Sequence, residues 1–277
     1  MPSEARVSLR LTWPRVHGAW SVLLCGYVLG VAAAGVPNVA SLVLLCSVLA
    51  AFVGRHAAGL YLRLTKSDVR RPWVLLWAVA YALLSILGLA ALVLGFGLSL
   101  LLVLAATGSL FALGSLVLES RRQDRTLVGE LANIVGLSLV APAAMYATSG
   151  AFDASTAGLW LLAAMFFAGR VLHVRYVLHA QQAGRADSRA RLEGWVYLVY
   201  QLIALIVACA MSEFEMVAVW SPVVLAPAIV KAVWALRGRQ SASFSVHRLG
   251  YNEVWLTLLF VLSLAVTWHI PGFRMPT

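Results

Sequence analysis

The residues with chemistry to offer are the ionisable side chains that fall inside long apolar runs, and they recur at helical spacing. Arg170, His173 and Tyr176 are three apart in one run, Glu130 and Asn133 three apart in another, and Arg55 and Gly59 four apart in a third. Residues at i, i+3 and i+4 share a helix face, so each of these runs has one polar side. An ionised side chain at the middle of a bilayer costs about 2.5 to 3.5 kcal/mol on insertion scales, which makes each a site candidate. Guanidinium groups hold anions through charge-assisted hydrogen bonds, and imidazole titrates near neutral pH. The chemistry on offer is capture of an anionic headgroup by Arg55, Arg122 and Arg170. Glu130 is expected to be their counter-ion, and His56 or His173 would move a proton if there is a catalytic step. His17, just before the first apolar run, is expected to turn its ring into the same polar region, near Glu130 or Arg55. Lys231 and Arg175 read as side chains that reach up to the headgroups.

Other chemistry has no foothold. No P-loop, GxSxG elbow, HExxH helix or GxGxxG turn occurs in the chain. Asp68, Asp124 and Asp187 stand singly in separate polar segments, whereas a magnesium-held diphosphate needs several oxygen ligands together. The three cysteines, Cys25, Cys46 and Cys209, lie inside apolar runs with no CxxC or Cys/His ligand spacing. No metal and no cofactor are expected.

The elements that must position these residues follow from composition. Of 277 residues, 62% are hydrophobic and 12% charged, too few polar side chains to cover a water-soluble globule. Stretches of about 20 apolar residues, the length that spans a bilayer, occur at roughly 18 to 36, 38 to 61, 73 to 94, 98 to 118, 127 to 148, 156 to 179, 195 to 213, 217 to 236 and 252 to 270. The expected fold is an all-α integral membrane protein of about nine transmembrane helices, with 1–17 a leader, 18–270 a single transmembrane domain and 271–277 a tail. The Gly26, Gly30, Ala34 ladder predicts close helix packing, and Pro142, Pro222 and Pro227 predict breaks in the fifth and eighth spans. The net charge of +10 is concentrated in alternate connections: Arg63, Lys66, Arg70 and Arg71 in one, then Arg121, Arg122 and Arg125, then Arg185, Arg189 and Arg191. By the positive-inside rule these connections and the N-terminus are cytoplasmic and the C-terminus external, in the cell (inner) membrane. The basic balance is thus a topology signal and does not indicate nucleic acid as a partner.

The segment Trp13-Pro14-Arg15-Val16-His17-Gly18-Ala19-Trp20 resembles the P-K/R-E-H-G-A-W hallmark of the YwiC-like family of bacterial membrane proteins, with Val16 where that family has glutamate. Glu119 through Pro142, with Gly129, Glu130, Gly136 and Leu139, and the late Arg248-Leu249-Gly250 with Glu253 are similar to the same family. The resemblance implies an architecture like the UbiA superfamily of intramembrane prenyltransferases, in which an Arg-Pro pair opens the third helix, as Arg71-Pro72 does here. The aspartate-rich magnesium motifs of those enzymes are replaced by Arg55-His56-Ala57-Ala58-Gly59 and by Glu119-Ser120-Arg121-Arg122-Gln123-Asp124-Arg125.

Three functions fit this pattern. One is a divergent prenyltransferase-like enzyme acting on a lipid or isoprenoid in a cytoplasm-facing, arginine- and histidine-lined cavity. Another is a non-catalytic binding or transport protein for a lipid or quinone-type ligand. The third is an assembly factor with a respiratory membrane complex as its partner.

Overall fold

The structure is a computed structural model that describes residues 14, 17–120, 126–183, 188–237 and 246–269. Every regular element among them is helical. Seven helices are long and apolar enough to cross a membrane: Val39–Arg63, Arg71–Gly95, Leu101–Glu119, Leu127–Ser149, Ala154–Gln181, Ser188–Glu213 and Gly250–His269. Two shorter apolar helices, Gly18–Ala34 and Ser221–Trp234, coincide with the first and eighth predicted spans. The chain is therefore a multi-pass helical membrane protein; where nine spans are expected, seven helices among the described residues reach spanning length and two are shorter. Its contacts divide into two compact units, Met1–Ala151 and Phe152–Thr277.

The first unit contains α1 (His17–Ala34), α2 (Val39–Arg63), α3 (Arg71–Ala90, extended by a π turn over Ala91–Gly95), α4 (Leu101–Ser120), α5 (Leu127–Ser138) and α6 (Val140–Ser149). Each start has a local cause. Asn38 caps α2 in a reciprocal box with Ser41, its carboxamide oxygen accepting from the Ser41 backbone at 2.8 Å. The amide of the same side chain donates to the Ala147 and Thr148 carbonyls at the end of α6. Thr126 caps α5 by accepting from Gly129 N. The fifth span breaks at Leu139, between α5 and α6, as Pro142 predicts: proline has no N–H to bond back across the Ser138 turn. Gly97 makes the tight turn between α3 and α4 with φ +71, a backbone state that other residues adopt only at a cost.

The small-residue ladder packs as its spacing predicts. Gly26 and Gly30 of α1 face Ala141, Ala144 and Met145 of α6, and a Cβ added at Gly30 would lie 2.7 Å from the Ala144 Cβ. At the entry to α1, the Trp20 indole donates to the Pro14 carbonyl at 3.0 Å. The ring meets Phe52 of α2 edge-on, with centroids 5.0 Å apart. Pro14 and Trp20 of the hallmark segment thus tie α1 to α2.

The second unit contains α7 (Ala154–Ala183), α8 (Ser188–Glu213), a 3-10 turn (Ser221–Leu225) leading into α9 (Ala226–Leu236), and α10 (Val246–His269). Pro222 and Pro227 sit where the eighth span departs from regular α-helix, the irregularity expected of them. Phe166 of α7 stacks on Phe260 of α10 at 3.7 Å with nearly parallel planes. Tyr200 of α8 donates to the Met165 carbonyl of α7 at 2.9 Å.

Candidate functional site

The first unit encloses a cavity of about 320 Å³, within the range of small-molecule sites. Its walls come from one face of each helix. On α2 the lining residues Leu44, Ser47, Val48, Ala51, Phe52 and Arg55 follow the i, i+3, i+4 rhythm. Leu101, Leu104, Ala105, Gly108 and Ala112 do the same on α4. Leu44 to Arg55 corresponds to about 16 Å along the helix axis at 1.5 Å per residue. Ala51, Ile86 and Ser109 in its wall are exposed, so the cavity opens at its flank.

Its polarity is graded. Arg55 and Asn133 each stand at one end of the lining run of their own helix, Ser47, Ser85 and Ser109 are the other polar lining residues, and the rest is aliphatic, aromatic or glycine. The Arg55 Nε donates to the Ser115 hydroxyl at 2.8 Å, and its Nη2 lies 3.7 Å from Glu119. Glu119 also takes Arg63 at 2.9 Å, so one carboxylate steadies two arginines two turns apart on α2. Gly59, between them, makes room for it: a Cβ there would lie 2.9 Å from Glu119 Oε1. Sequence reasoning gave the counter-ion role to Glu130; for Arg55 the structure gives it to Glu119. Glu130 lies half-buried in the first turn of α5. His56 is half-buried on α2 and is not among the residues lining the cavity. His17 opens α1, but its side chain, like Arg122, falls outside the described residues.

The loop after α2 carries charge outside the apolar spans. Asp68 accepts from the Arg70 side chain and backbone, and these hydrogen bonds push its carboxyl down to about 2. It is therefore ionised throughout the physiological range. Arg71 opens α3 with its guanidinium 4.5 Å above the Tyr61 ring, and Pro72 follows in the first turn.

The second unit buries a polar cluster of its own. Arg170 is 7% exposed and His173 fully buried on α7. Arg170 pairs with Glu253 of α10. Lys231 of α9 donates to the same carboxylate at 2.6 Å, and His173 Nε2 lies 3.6 Å from it. The expectation that Lys231 reaches for the headgroups gives way to this pairing, because a carboxylate within reach in an apolar interior outweighs a longer path to the surface. The Tyr197 ring packs 5.1 Å from His173, and its hydroxyl donates to the Ala228 carbonyl. Tyr176, one turn beyond His173, is buried against Gly194 and Val177 instead. Glu119 and Glu253 are the carboxylates that sequence reasoning did not pair with these arginines; a signal for Glu253 was its place among the polar residues that open the last span.

Among the described residues, no three His, Cys, Asp or Glu side chains converge as metal ligands. A magnesium-held diphosphate, which the UbiA resemblance implies, does not fit the polar end of the cavity, where the described carboxylate is committed to Arg55 and Arg63.

Several apolar helices of spanning length define a polytopic membrane protein. Residues 13–145, just under half of the chain, match the model of the YwiC-like protein family. The match contains the hallmark segment, Arg55, Glu119 and the whole lining of the cavity, and ends before the second unit begins. No curated protein and no solved structure matches the chain.

Proposed function

We propose that this YwiC-like protein binds a lipid or isoprenoid-type molecule in the cavity of its first unit, with the apolar chain along α2 and α4 and the headgroup at Arg55 and Asn133. The observation that carries this reading is the grading of that cavity, apolar along most of its length and cationic beside Arg55. A flank open to the surrounding apolar surface suits a ligand that arrives sideways from the bilayer. Glu119 and Ser115 hold the Arg55 guanidinium in place, and preorganisation of this kind reduces what binding costs. The function is binding or delivery of the ligand, since His56, the candidate catalytic histidine of this unit, is not among the residues lining the cavity.

Mass spectrometry of the purified protein tests this. A defined amphiphile is expected to co-purify with wild type, and Gly108→Leu is expected to exclude it. A Cβ at Gly108 would have its nearest neighbour, Leu139 Cδ1, at 3.9 Å, so the new side chain has space in which to fill the cavity without disturbing the helix. Removing a helical glycine also gains about 1 kcal/mol of propensity, so a folded but lipid-free variant is the expected result. Identical lipid content in the two proteins would defeat the reading.

Orientation belongs to the same proposal: the polar end faces the cytoplasm of the cell's inner membrane. A reporter joined after Thr277 should be active outside, and one inserted between Ala183 and Leu192 should be active inside, because the latter connection is arginine-rich. Cytoplasmic activity from both would overturn this orientation.

A further inference from the structure

From residues that the cavity does not use, we infer that the buried cluster of the second unit is a binding site for a small monovalent anion of the chloride class. Charge arithmetic comes first. Arg170 and Lys231 bring two positive charges to one carboxylate, Glu253, and all three side chains are less than one-fifth exposed. Hydrogen-bond arithmetic points the same way. Glu253 is the anionic acceptor here, while Arg170 Nε and Nη1 and both ring nitrogens of His173 are buried with no hydrogen-bond partner among the described residues. Of the other polar groups in this unit, Tyr197 donates to the Ala228 carbonyl and Gln201 hydrogen-bonds Tyr197, while the buried Ser221 hydroxyl has no hydrogen-bond partner among the described residues. Donors thus exceed acceptors, in a place where an unmatched charge is expensive.

An anion resolves both imbalances at once. It would accept from the unused guanidinium N–H groups, from Lys231 and from one imidazole N–H, and it would bring the cluster to neutrality. The near-complete burial of Arg170 and His173 limits the occupant to very few atoms.

Thermal unfolding of the full chain in detergent, in sodium chloride against sodium gluconate at equal ionic strength and neutral pH, tests the site. Wild type is expected to gain about 3 to 5 °C, saturably, once chloride exceeds its dissociation constant about tenfold. Lys231→Met leaves Arg170 and Glu253 balanced, so its midpoint should not respond to chloride. Glu253→Gln leaves two cations without a carboxylate, so its response should be larger than that of wild type. A wild type indifferent to chloride overturns the inference in favour of an uncharged Lys231, which a midpoint rising with pH would reveal. A chloride response that survives in Lys231→Met overturns it too, by assigning the effect to the arginine-rich surface. Should Glu253→Gln fail to fold, wild type and Lys231→Met still decide the matter.

Discussion

Glu253→Ala is expected to lower the unfolding free energy of the detergent-solubilised protein by about 3 to 5 kcal/mol, the cost of leaving buried charge without its partner. Glu253 receives Arg170 from α7 and Lys231 from α9, and His173 lies beside it, so the one carboxylate links three helices electrostatically. The effect of removing it should exceed that of Glu193→Ala, which breaks the His179 to Glu193 pair between α7 and α8. That pair is about one-third exposed and so is screened by solvent. Equilibrium unfolding of both variants provides the comparison. Equal, small losses would mean that Glu253 is not the carboxylate on which the second unit depends.

A second large effect is expected from Gly30→Val, at about 3 kcal/mol, the upper end of the usual cost of overpacking a close contact. A Cβ at Gly30 would lie 2.7 Å from the Ala144 Cβ and 2.8 Å from the Met145 backbone nitrogen. Backbone cannot rotate aside, so α1 must move off α6. Gly26→Ala is the control. Its added methyl would meet the same helix at an ordinary 3.6 Å, and it should leave stability within about 0.5 kcal/mol of wild type. Unfolding midpoints that fall equally in the two variants would show that the ladder is not a close-packing face.

The spans were legible in the sequence because bilayer thickness dictates helix length, and a run of 20 apolar residues has few other uses. The irregularities at Pro142, Pro222 and Pro227 were legible for a local reason, the missing N–H. So was the polar face shared by Arg170 and His173, because helical periodicity alone places i and i+3 together. The hallmark segment was legible as a motif, but its structural role was not: that Trp20 bonds to Pro14 and leans on Phe52 depends on how α1 and α2 pack.

What tertiary structure alone decided is which charge meets which. Arg55 and Glu119 are 64 positions apart in the chain and on different helices, and Arg170 and Glu253 are farther apart still. Periodicity along one helix says which residues share a face, but nothing about the rotation and depth at which a second helix packs against it. Glu130 looked the better counter-ion because it was embedded in an apolar run, whereas Glu119 follows one predicted span and Glu253 opens another. Packing placed both beside arginines. The same limit hid the cavity, because Gly108 and Ala112 read as ordinary small residues of a span until the spacing of α2 and α4 left a void between them. Composition along the chain fixed that this protein lives in a membrane and is helical; the distances between helices, which no single segment encodes, made the void and paired the charges.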